Sequence, residues 1–421
     1  MQASDTPLQR AALCCAIGSA GAIAASIAVS QILLGASLAL VIILVATRQA
    51  PLRLPSGWQF LAFFAAWTTL SWLVNGHLRE GRFQIRKFYI LLIVAVIAST
   101  FRGVRDARWV VSIWLGLGTL SSLWGLGQFW RKWELARRAG SSFYLSYVSA
   151  RITGFNSHWM TFSEILMFVL LAGLALVMWD RATPSRWRWT AGVAVLLCGL
   201  AIVLAMTRGV WMATAAGLLY LLWAWRRWAV LALPAVVVLA FALGPPGLRD
   251  RMISIVHPHG DADSNMHRYV TFRTGIVMIK THPLLGVGPD MIGPDFQQYV
   301  PAGIPRPLPA GFYGHLHNVY VQFSAERGIP AMLAIIGFLV WNLWRWLRRL
   351  AALAPSADNA ADNAADPGAA SAWLLRAGVA MLIGVLVIGL FEHCLGDSVI
   401  LTLTMCAVAC VDSACREPIH V

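Results

Sequence analysis

Residues 188–245 read RWTAGVAVLLCGLAIVLAM, TR, GVWMATAAGLLYLLWAW, RR and WAVLALPAVVVLAFALGP. These are three apolar runs separated by two short cationic breaks. A helix that crosses a bilayer needs about 20 mostly apolar residues, and each run comes close to that length. The stretch therefore predicts three consecutive membrane-spanning helices.

The rest of the chain repeats this pattern. Of its 421 residues, 58% are hydrophobic and 12% are charged, and the mean hydropathy is +0.67. A soluble domain carries about 25% charged residues, so the composition excludes a water-soluble fold. Many of the 20 tryptophans lie at the ends of apolar runs, as in an interfacial aromatic belt. We predict an all-α polytopic membrane protein of about twelve spans, with cores at 11–29, 31–47, 57–74, 86–101, 109–129, 159–179, 188–206, 209–225, 228–245, 329–347, 372–391 and 396–412.

The short loops predict the orientation of these spans. With a cytoplasmic N-terminus, every inside loop is basic, from Arg48 and Arg53 to Arg345, Arg348 and Arg349. This predicts a bacterial inner-membrane protein with both termini in the cytoplasm. The first apolar run follows a cationic residue, as in a signal peptide, but further runs follow at once, so we predict an uncleaved first span.

Several outside loops are also basic, against the orientation rule. The net charge is +14, and the cations lie between apolar runs instead of forming one patch, so anionic lipids are expected and nucleic acid is not. The cations line a periplasmic basic cavity for phosphate-bearing lipids, or they pair with the local acids Glu80, Glu134 and Asp250, or the topology differs. We favour the first explanation. The residues are Arg79, Arg82, Arg86 and Lys87; Arg131, Lys132, Arg137, Arg138 and Arg151; and Arg249, Arg251, Arg268, Arg273, Lys280 and Arg306.

The hydropathy divides the chain into three parts. Residues 1–245 carry nine predicted spans, 246–328 form a large periplasmic loop, and 329–421 carry three more spans. The loop contains a predicted amphipathic helix near 264–281, the turn-rich run HPLLGVGPD and a second helix from His317 to Arg327. Residues 354–371 repeat ADNA and predict a disordered cytoplasmic linker.

No metal or cofactor is expected. The seven cysteines show no metal or redox spacing and lie mostly in apolar runs. The run HPHGDADSNMH offers several possible ligands, but its spacing matches no zinc or calcium pattern. Those residues are His257, His259, Asp261, Asp263 and His267.

Cations beside spans are candidates for binding an anionic substrate. Arg208 lies between two apolar runs, where an ionisable group is costly and usually functional. A guanidinium binds phosphate oxygens in a bidentate manner, although a snorkelling arginine that caps a turn is the alternative. On the predicted helix 264–281, Arg273 and Lys280 offer further cations, for which a solvated face is the alternative.

A histidine opens the last polar helix. The segment GHLHNVYVQFSAERGIPA places His317 and Asn318 just outside the membrane, near the basic elements. A neutral imidazole accepts a proton from a sugar hydroxyl at physiological pH. A structural histidine is the alternative explanation.

At these residues the chain resembles the O-antigen ligase family, a branch of the Wzy-type integral membrane glycosyltransferases. The family motif is His-Asn/Ser/Gln, nine residues, Gly, two residues, Gly, and here His317-Asn318 is followed by nine residues and Gly328. Ala331 stands where the family has the last glycine. Arg268 followed by THPLLGVGPD, and Arg208 in TRGVW, are similar to the family's other two elements in the same order.

The resemblance implies a GT-C-like fold and a function in lipopolysaccharide assembly. The donor would be O-antigen on undecaprenyl pyrophosphate, and the acceptor a hydroxyl of lipid A-core. His317 would be the general base, and Arg208 and Arg268 would hold the pyrophosphate, without a metal and with inversion at the anomeric carbon. Substrate binding is further predicted for Asn318, Arg151, Arg137, Arg138, Arg273 and Lys280.

Three rival functions remain. An O-antigen polymerase uses the same donor with a carrier-linked glycan as acceptor, and a protein O-glycosyltransferase of the same superfamily uses a protein. A transporter of lipid-linked glycans also has about twelve spans and a basic cavity, but often shows inverted repeats. No such symmetry relates the two halves of this sequence.

Overall fold

The computed structural model describes residues 6–244, 246–254, 265–353 and 367–415, and these form helices joined by turns, with no strand among them. Two 3-10 turns, Arg227–Leu231 and Cys394–Gly396, lie between helices. The α-helices are α1 Pro7–Ala22, α2 Ile27–Ala46, α3 Trp58–Asn75, α4 Leu78–Arg86, α5 Phe88–Leu91, α6 Ile93–Thr100, α7 Val104–Arg138, α8 Phe143–Val148, α9 Trp159–Trp179, α10 Ser185–Leu204, α11 Arg208–Trp225, α12 Ala232–Leu243, α13 Pro246–Ile253, α14 Asn265–Thr281, α15 Ile292–Tyr299, α16 Val319–Arg327, α17 Ile329–Ala352, α18 Pro367–Ile388 and α19 Ser398–Ala414.

Within the described residues, seven helices are long and apolar enough to cross a membrane. A helix overlaps each of the twelve predicted cores, but the number twelve is not confirmed, because several of these helices are shorter or less apolar. The seven are Ile27–Ala46, Leu78–Thr100, Val104–Arg138, Trp159–Trp179, Ser185–Leu204, Ile329–Ala352 and Ser371–Ile388.

The core is built around α9, which is mostly apolar and is buried on all sides over most of its length. A helix that is hydrophobic all round belongs in the interior, and α7, α10, α11 and α18 all pack against α9. By contrast, α12 buries none of its residues, and its three valines and two of its leucines are exposed. Such an exposed apolar surface suits contact with lipid.

A second, smaller core holds the predicted loop together. It is formed by apolar side chains of α14, α15 and α16, among them Val270, Met278, Phe296 and Val321. The predicted amphipathic helix near 264–281 is present as α14. The predicted second helix is present as α16, with Asn318 as its N-cap.

Glycines hold the turn-rich run against the end of α16. The backbone N–H of Gly288 donates to the carbonyl of Glu326 (3.0 Å). A Cβ on Gly286 would lie 2.4 Å from the carbonyl carbon of Glu326, and one on Gly328 would lie 1.7 Å from the carbonyl oxygen of Leu284. Both glycines also have positive φ. Gly286 and Gly328 therefore allow a close backbone approach that fixes where α16 ends.

Residues 354–366 of the predicted linker 354–371 lie outside the described residues. Residues 367–371 belong to α18.

Candidate active site

One end of the helix bundle encloses a cavity of about 1390 Å³. Its walls come from the N-terminal ends of α9, α11 and α14, the segment before α16, and the loop between α18 and α19. Arg151, Arg208, Arg268 and His317, all predicted as site residues, line this cavity. The fold therefore brings together residues that lie up to 166 positions apart in the sequence (317 − 151).

A buried carboxylate connects two of these residues. His317 Nδ1 lies 3.1 Å from Glu392 Oε2, and Arg268 forms an ion pair with Glu392 Oε1. Arg268 also donates to the carbonyl of Phe391 (2.5 Å). Burial alone would raise the pKa of Glu392, but the hydrogen bond from His317 and the charge of Arg268 outweigh it and hold the pKa below its ordinary value. Glu392 is therefore ionised at neutral pH.

This contact determines the tautomer of His317. An ionised carboxylate only accepts hydrogen bonds, so Nδ1 of His317 carries the proton. In the neutral ring, the lone pair then lies on Nε2. Nε2 is enclosed by protein and has no hydrogen-bond partner within the described parts of the chain. The imidazole is thus set up to accept a proton at Nε2.

The backbone at His317 is strained, and Asn318 holds it. His317 has φ of +50°, a region that costs a non-glycine residue about 1–3 kcal/mol and occurs mainly at functional sites. Asn318 Oδ1 accepts from the N–H of Val321 (3.0 Å), and its Nδ2 donates to the carbonyl of Leu390 (3.0 Å). Asn318 therefore caps α16 and ties it to the end of α18.

Further imidazole rings surround that of His317. The ring centroids of His315 and His267 lie 4.2 and 5.2 Å from it, and His393 lies 6.3 Å from His315. Burial, followed by the charge of His317, lowers the pKa of His315 to about 4. Burial also lowers the pKa of His267 and, further, that of His393. These three rings are neutral at pH 7.

Arginines meet on a different part of the cavity wall. Arg208 is the first residue of α11 and donates to the carbonyl of Ser254 (2.8 Å) and to Asn265 Oδ1 (2.7 Å). Arg251 is 4% exposed and donates from Nε to the carbonyl of Met206 (3.1 Å). These bonds tie α13 and α14 to the start of α11 and point two guanidinium groups towards one region.

Arg151 completes this cluster. It lies over the ring of Trp159 (5.1 Å) and donates to the carbonyl of Val148 (3.1 Å). Burial, followed by the charges of Arg251 and Arg208, lowers the pKa of Arg151 to about 9, which still leaves it protonated at neutral pH. The first N–H groups of a helix also favour anions, and α11 begins here. We refer to Arg151, Arg208 and Arg251 as the arginine cluster.

The cavity is not uniformly basic, which corrects the sequence expectation. Carboxylates also line it, and Glu392, Asp397 and Glu164 lie near one another on the side of His317. The sequence pattern revealed the cations because they break apolar runs in loops. The carboxylates escaped notice because they lie singly within or beside predicted spans. The charged lining residues are Lys87, Arg151, Arg208, Arg251 and Arg268 against Glu164, Asp290, Glu392 and Asp397.

Five predicted binding residues do not line the cavity. Asn318 uses both polar side-chain atoms within the protein, as described above. Arg138 forms an ion pair with Glu134 at the end of α7, and Arg137 lies over Trp133. The remaining two, Arg273 and Lys280, are exposed on α14. Any contact of these residues with substrate would therefore occur outside the cavity.

Two functional candidates were missed by the sequence analysis. Glu392 was not singled out, although an acid at the end of a predicted span is itself a functional signal. Arg251 was counted among the outside cations but was not assigned to the site. Its burial and its bond to the backbone before α11 depend on contacts that the sequence pattern does not show.

The described parts of the chain contain no group of three or more His, Cys, Asp or Glu side chains that could hold a metal ion. Of the five candidate metal ligands in the histidine- and aspartate-rich run, His267 lies in the described part of the chain, and its ring packs against Tyr313 and His317. The other four candidate ligands, His257, His259, Asp261 and Asp263, lie outside the described residues.

Fold and cavity together define a helical membrane protein with an imidazole–carboxylate pair and an arginine cluster at one end of its bundle. Residues 193–336 match the family model described as O-antigen ligase. The matched region covers about a third of the chain and includes Arg208, Arg268 and His317, so the resemblance to the O-antigen ligase/polymerase superfamily is confirmed over that region. No curated protein matches the chain. Ala331, where the family motif has glycine, is fully buried in α17, which accommodates its methyl group.

Proposed function

We propose that this protein is an O-antigen ligase. It transfers a glycan from undecaprenyl pyrophosphate to a hydroxyl of lipid A-core. One observation carries the proposal: His317, which is paired with Glu392, lines the same cavity as the arginine cluster. Transfer from a pyrophosphate carrier needs a base for the acceptor and cations for the leaving group.

His317 is the proposed general base. Its Nε2 takes the proton of the acceptor hydroxyl while the oxygen forms a bond to the anomeric carbon of the donor sugar. Glu392 accepts from Nδ1 and stabilises the imidazolium that forms. Arg268 in turn holds Glu392 in place, so its first role in this scheme is to position the base, and its remaining N–H groups are available to a phosphate.

The arginine cluster receives the leaving group. As the bond between the anomeric carbon and the phosphate oxygen breaks, the pyrophosphate keeps the electron pair and gains negative charge. A guanidinium group binds phosphate through two parallel N–H···O hydrogen bonds, and it stays protonated at neutral pH. Fixed cations can therefore supply the charge stabilisation for a single displacement, which inverts the anomeric centre.

Access to the base requires a local movement. Because Nε2 of His317 is enclosed by protein, the acceptor reaches it only after neighbouring side chains give way. His315 lies in the segment 310–316, which contains Gly311 and Gly314 and the exposed ring of Phe312. Bonds in catalytic sites commonly tighten only when substrate is bound, and this segment is the proposed moving part.

We propose that the cavity faces the periplasm. The predicted inside loops contact one another at the opposite end of the bundle, where Arg108 pairs with Asp180 (2.6 Å) and Arg345 with Asp412 (3.0 Å). The positive-inside rule assigns that end to the cytoplasm. Carrier-linked glycans and lipid A-core would then reach the cavity from the outer leaflet of the inner membrane.

The test uses purified protein in detergent with undecaprenyl-pyrophosphate O-antigen and lipid A-core, in the presence of EDTA and without nucleotide. Capped lipopolysaccharide on a gel is expected from the wild type and is expected to be absent with His317→Ala. Product from both proteins would remove His317 as the base while keeping the ligase. Longer carrier-linked glycan without capped product would identify a polymerase, and glycosylated protein a protein O-glycosyltransferase. No new glycosidic bond would favour a transporter.

A further inference from the structure

Glu164 is a buried carboxyl group that the proposed chemistry does not use. It lies in the second turn of α9, the central helix of the bundle, and it is 2% exposed. Its side chain lines the cavity. An acid at this depth in a membrane protein is costly, and such residues usually serve a function.

The other carboxylates of the cavity all have partners. Glu392 accepts from His317 and Arg268, and Asp290 accepts from a glutamine side chain (2.7 Å). Asp397 accepts from the hydroxyl of Thr161 (2.7 Å) and from the backbone at the start of α19 (2.7 Å). Glu164 has neither a hydrogen bond nor an ion pair to any residue that the structure describes, so its hydrogen-bonding capacity is open to a ligand in the cavity.

The surroundings of Glu164 select the kind of ligand. The charges that act on it are those of Glu392 and Asp397, so this wall repels a phosphate. Sugar hydroxyls both donate and accept, and a carboxyl group can bind two of them at once, whichever its protonation state. Thr161 lies about one turn before Glu164 and also lines the cavity. Its hydroxyl donates to Asp397 and can still accept a hydrogen bond from a sugar hydroxyl.

We propose that Glu164 binds hydroxyl groups of a sugar ring in the cavity, an inference that rests on the proposed glycosyl transfer. The ring belongs to the first sugar of the carrier-linked donor or to the acceptor sugar of lipid A-core. The arginine cluster attracts the pyrophosphate, and Glu164 holds the glycan near His317. The two walls together orient the substrate along the cavity.

The experiment compares the wild type with Glu164→Gln, Glu164→Leu and the control Glu80→Gln, which changes an exposed acid outside the cavity. Binding of three ligands to detergent-solubilised protein is measured: carrier-linked glycan, bare undecaprenyl pyrophosphate and lipid A-core. Steady-state kinetics with the two substrates give KM and kcat separately. Thermal melting of each variant reports on the fold.

With Glu164→Gln we expect binding of one sugar-bearing ligand to weaken about tenfold, because the amide has one acceptor oxygen where the carboxyl group has two oxygens. Its KM should rise in parallel, with a smaller change in kcat, and bare undecaprenyl pyrophosphate should bind as before. If only the binding of carrier-linked glycan weakens, Glu164 binds the donor sugar. If only the binding of lipid A-core weakens, Glu164 binds the acceptor sugar. Glu164→Leu should bind more weakly still and melt at or above the wild-type temperature, because it removes an unpaired buried carboxyl.

Three results would overturn the proposal. Equal weakening of the glycan-bearing and the bare carrier would show a general electrostatic effect, and a Glu164→Leu protein that melts well below the wild type would show a structural role. Unchanged binding of both sugar-bearing ligands would equally exclude it. Failure of the wild type to form any glycosidic bond would instead count against the proposed function, because the binding comparison does not require turnover.

Discussion

Replacing Glu392 by glutamine tests the link between the base and its carboxylate. Two donors converge on this side chain: Nδ1 of His317 on one oxygen and the guanidinium of Arg268 on the other. A glutamine of the same size has only one acceptor atom. If its oxygen faces Arg268, its NH2 group faces His317, and Nδ1 must become the acceptor.

That reversal moves the ring proton to Nε2, the atom that should accept from the acceptor hydroxyl. The variant then loses general-base catalysis, which typically contributes about 10²–10⁴ in rate. This range corresponds to about 2.7–5.5 kcal/mol at about 1.36 kcal/mol per tenfold change. The opposite rotamer of the glutamine places its NH2 group against the guanidinium of Arg268. Two hydrogen-bond donors then face each other without an acceptor, which destabilises this buried site. We therefore expect Glu392→Gln to lose nearly as much kcat as His317→Ala.

The assay measures kcat and KM for ligation in detergent, together with the melting temperature of each variant. Glu392→Asp is the matched control, because it keeps both acceptor oxygens and shortens the side chain by one methylene group. It should retain more activity than Glu392→Gln. The double variant His317→Ala/Glu392→Gln should be no slower than His317→Ala alone, since residues that act as one unit are not additive.

Retention of kcat within about threefold in a folded Glu392→Gln protein would refute this reasoning, since even the weakest general-base contribution is about 10²-fold. A Glu392→Asp variant that is less active than Glu392→Gln would refute it as well, because the length of the side chain would then matter more than its second acceptor oxygen. A fully additive double variant would show that the two side chains act separately. Each outcome counts only for variants whose melting temperature is close to that of the wild type.

Three further predictions concern other parts of the site. Arg251→Lys keeps the charge but loses the fork that reaches the backbone of Met206, so the KM for the carrier-linked donor should rise about tenfold while melting changes little. Gly328→Ala places a methyl group against the carbonyl of Leu284 at positive φ and should destabilise the protein by about 3 kcal/mol in thermal melting, whereas Ala331→Gly should cost about 1 kcal/mol. The pKa of His315 is lowered to about 4, so the unfolded chain binds a proton first as the pH falls from 6.5 towards 4, and stability should drop by at most about 2 kcal/mol at pH 5. A His315→Gln variant should flatten that part of the melting curve against pH, and an unchanged slope would contradict the assignment.

The helices could be predicted because run length and hydropathy act locally. An apolar run of about 20 residues has few alternatives to a buried helix, so a helix overlaps every predicted core. The number of spans is harder, because α1 has 16 residues and α12 only 12. Helices of this length reach across a bilayer only with help from neighbouring segments or a thinner membrane, which hydropathy does not describe.

The site could be predicted in part for a different reason. Arg208, Arg268 and His317 were found because ordered motifs mark them. They line one cavity, but the sequence alone could not show that they converge in space. Glu392 lies 75 residues beyond His317 in a short loop between apolar helices. Its partnership with the imidazole arises from the packing of α16 against the end of α18, and no spacing in the sequence encodes that contact.

The separation of charge within the cavity has a consequence for how the residues divide the work. A uniformly basic cavity would attract a pyrophosphate anywhere along its walls, including beside the base. Carboxylates around His317 prevent this, because they repel phosphate while accepting protons and hydroxyl groups. Arg268 lies at the boundary and is already bound to Glu392. In the proposed mechanism, the anionic end of the donor is therefore directed to the arginine cluster. The anomeric carbon then lies between the leaving group and the base, where the single displacement takes place.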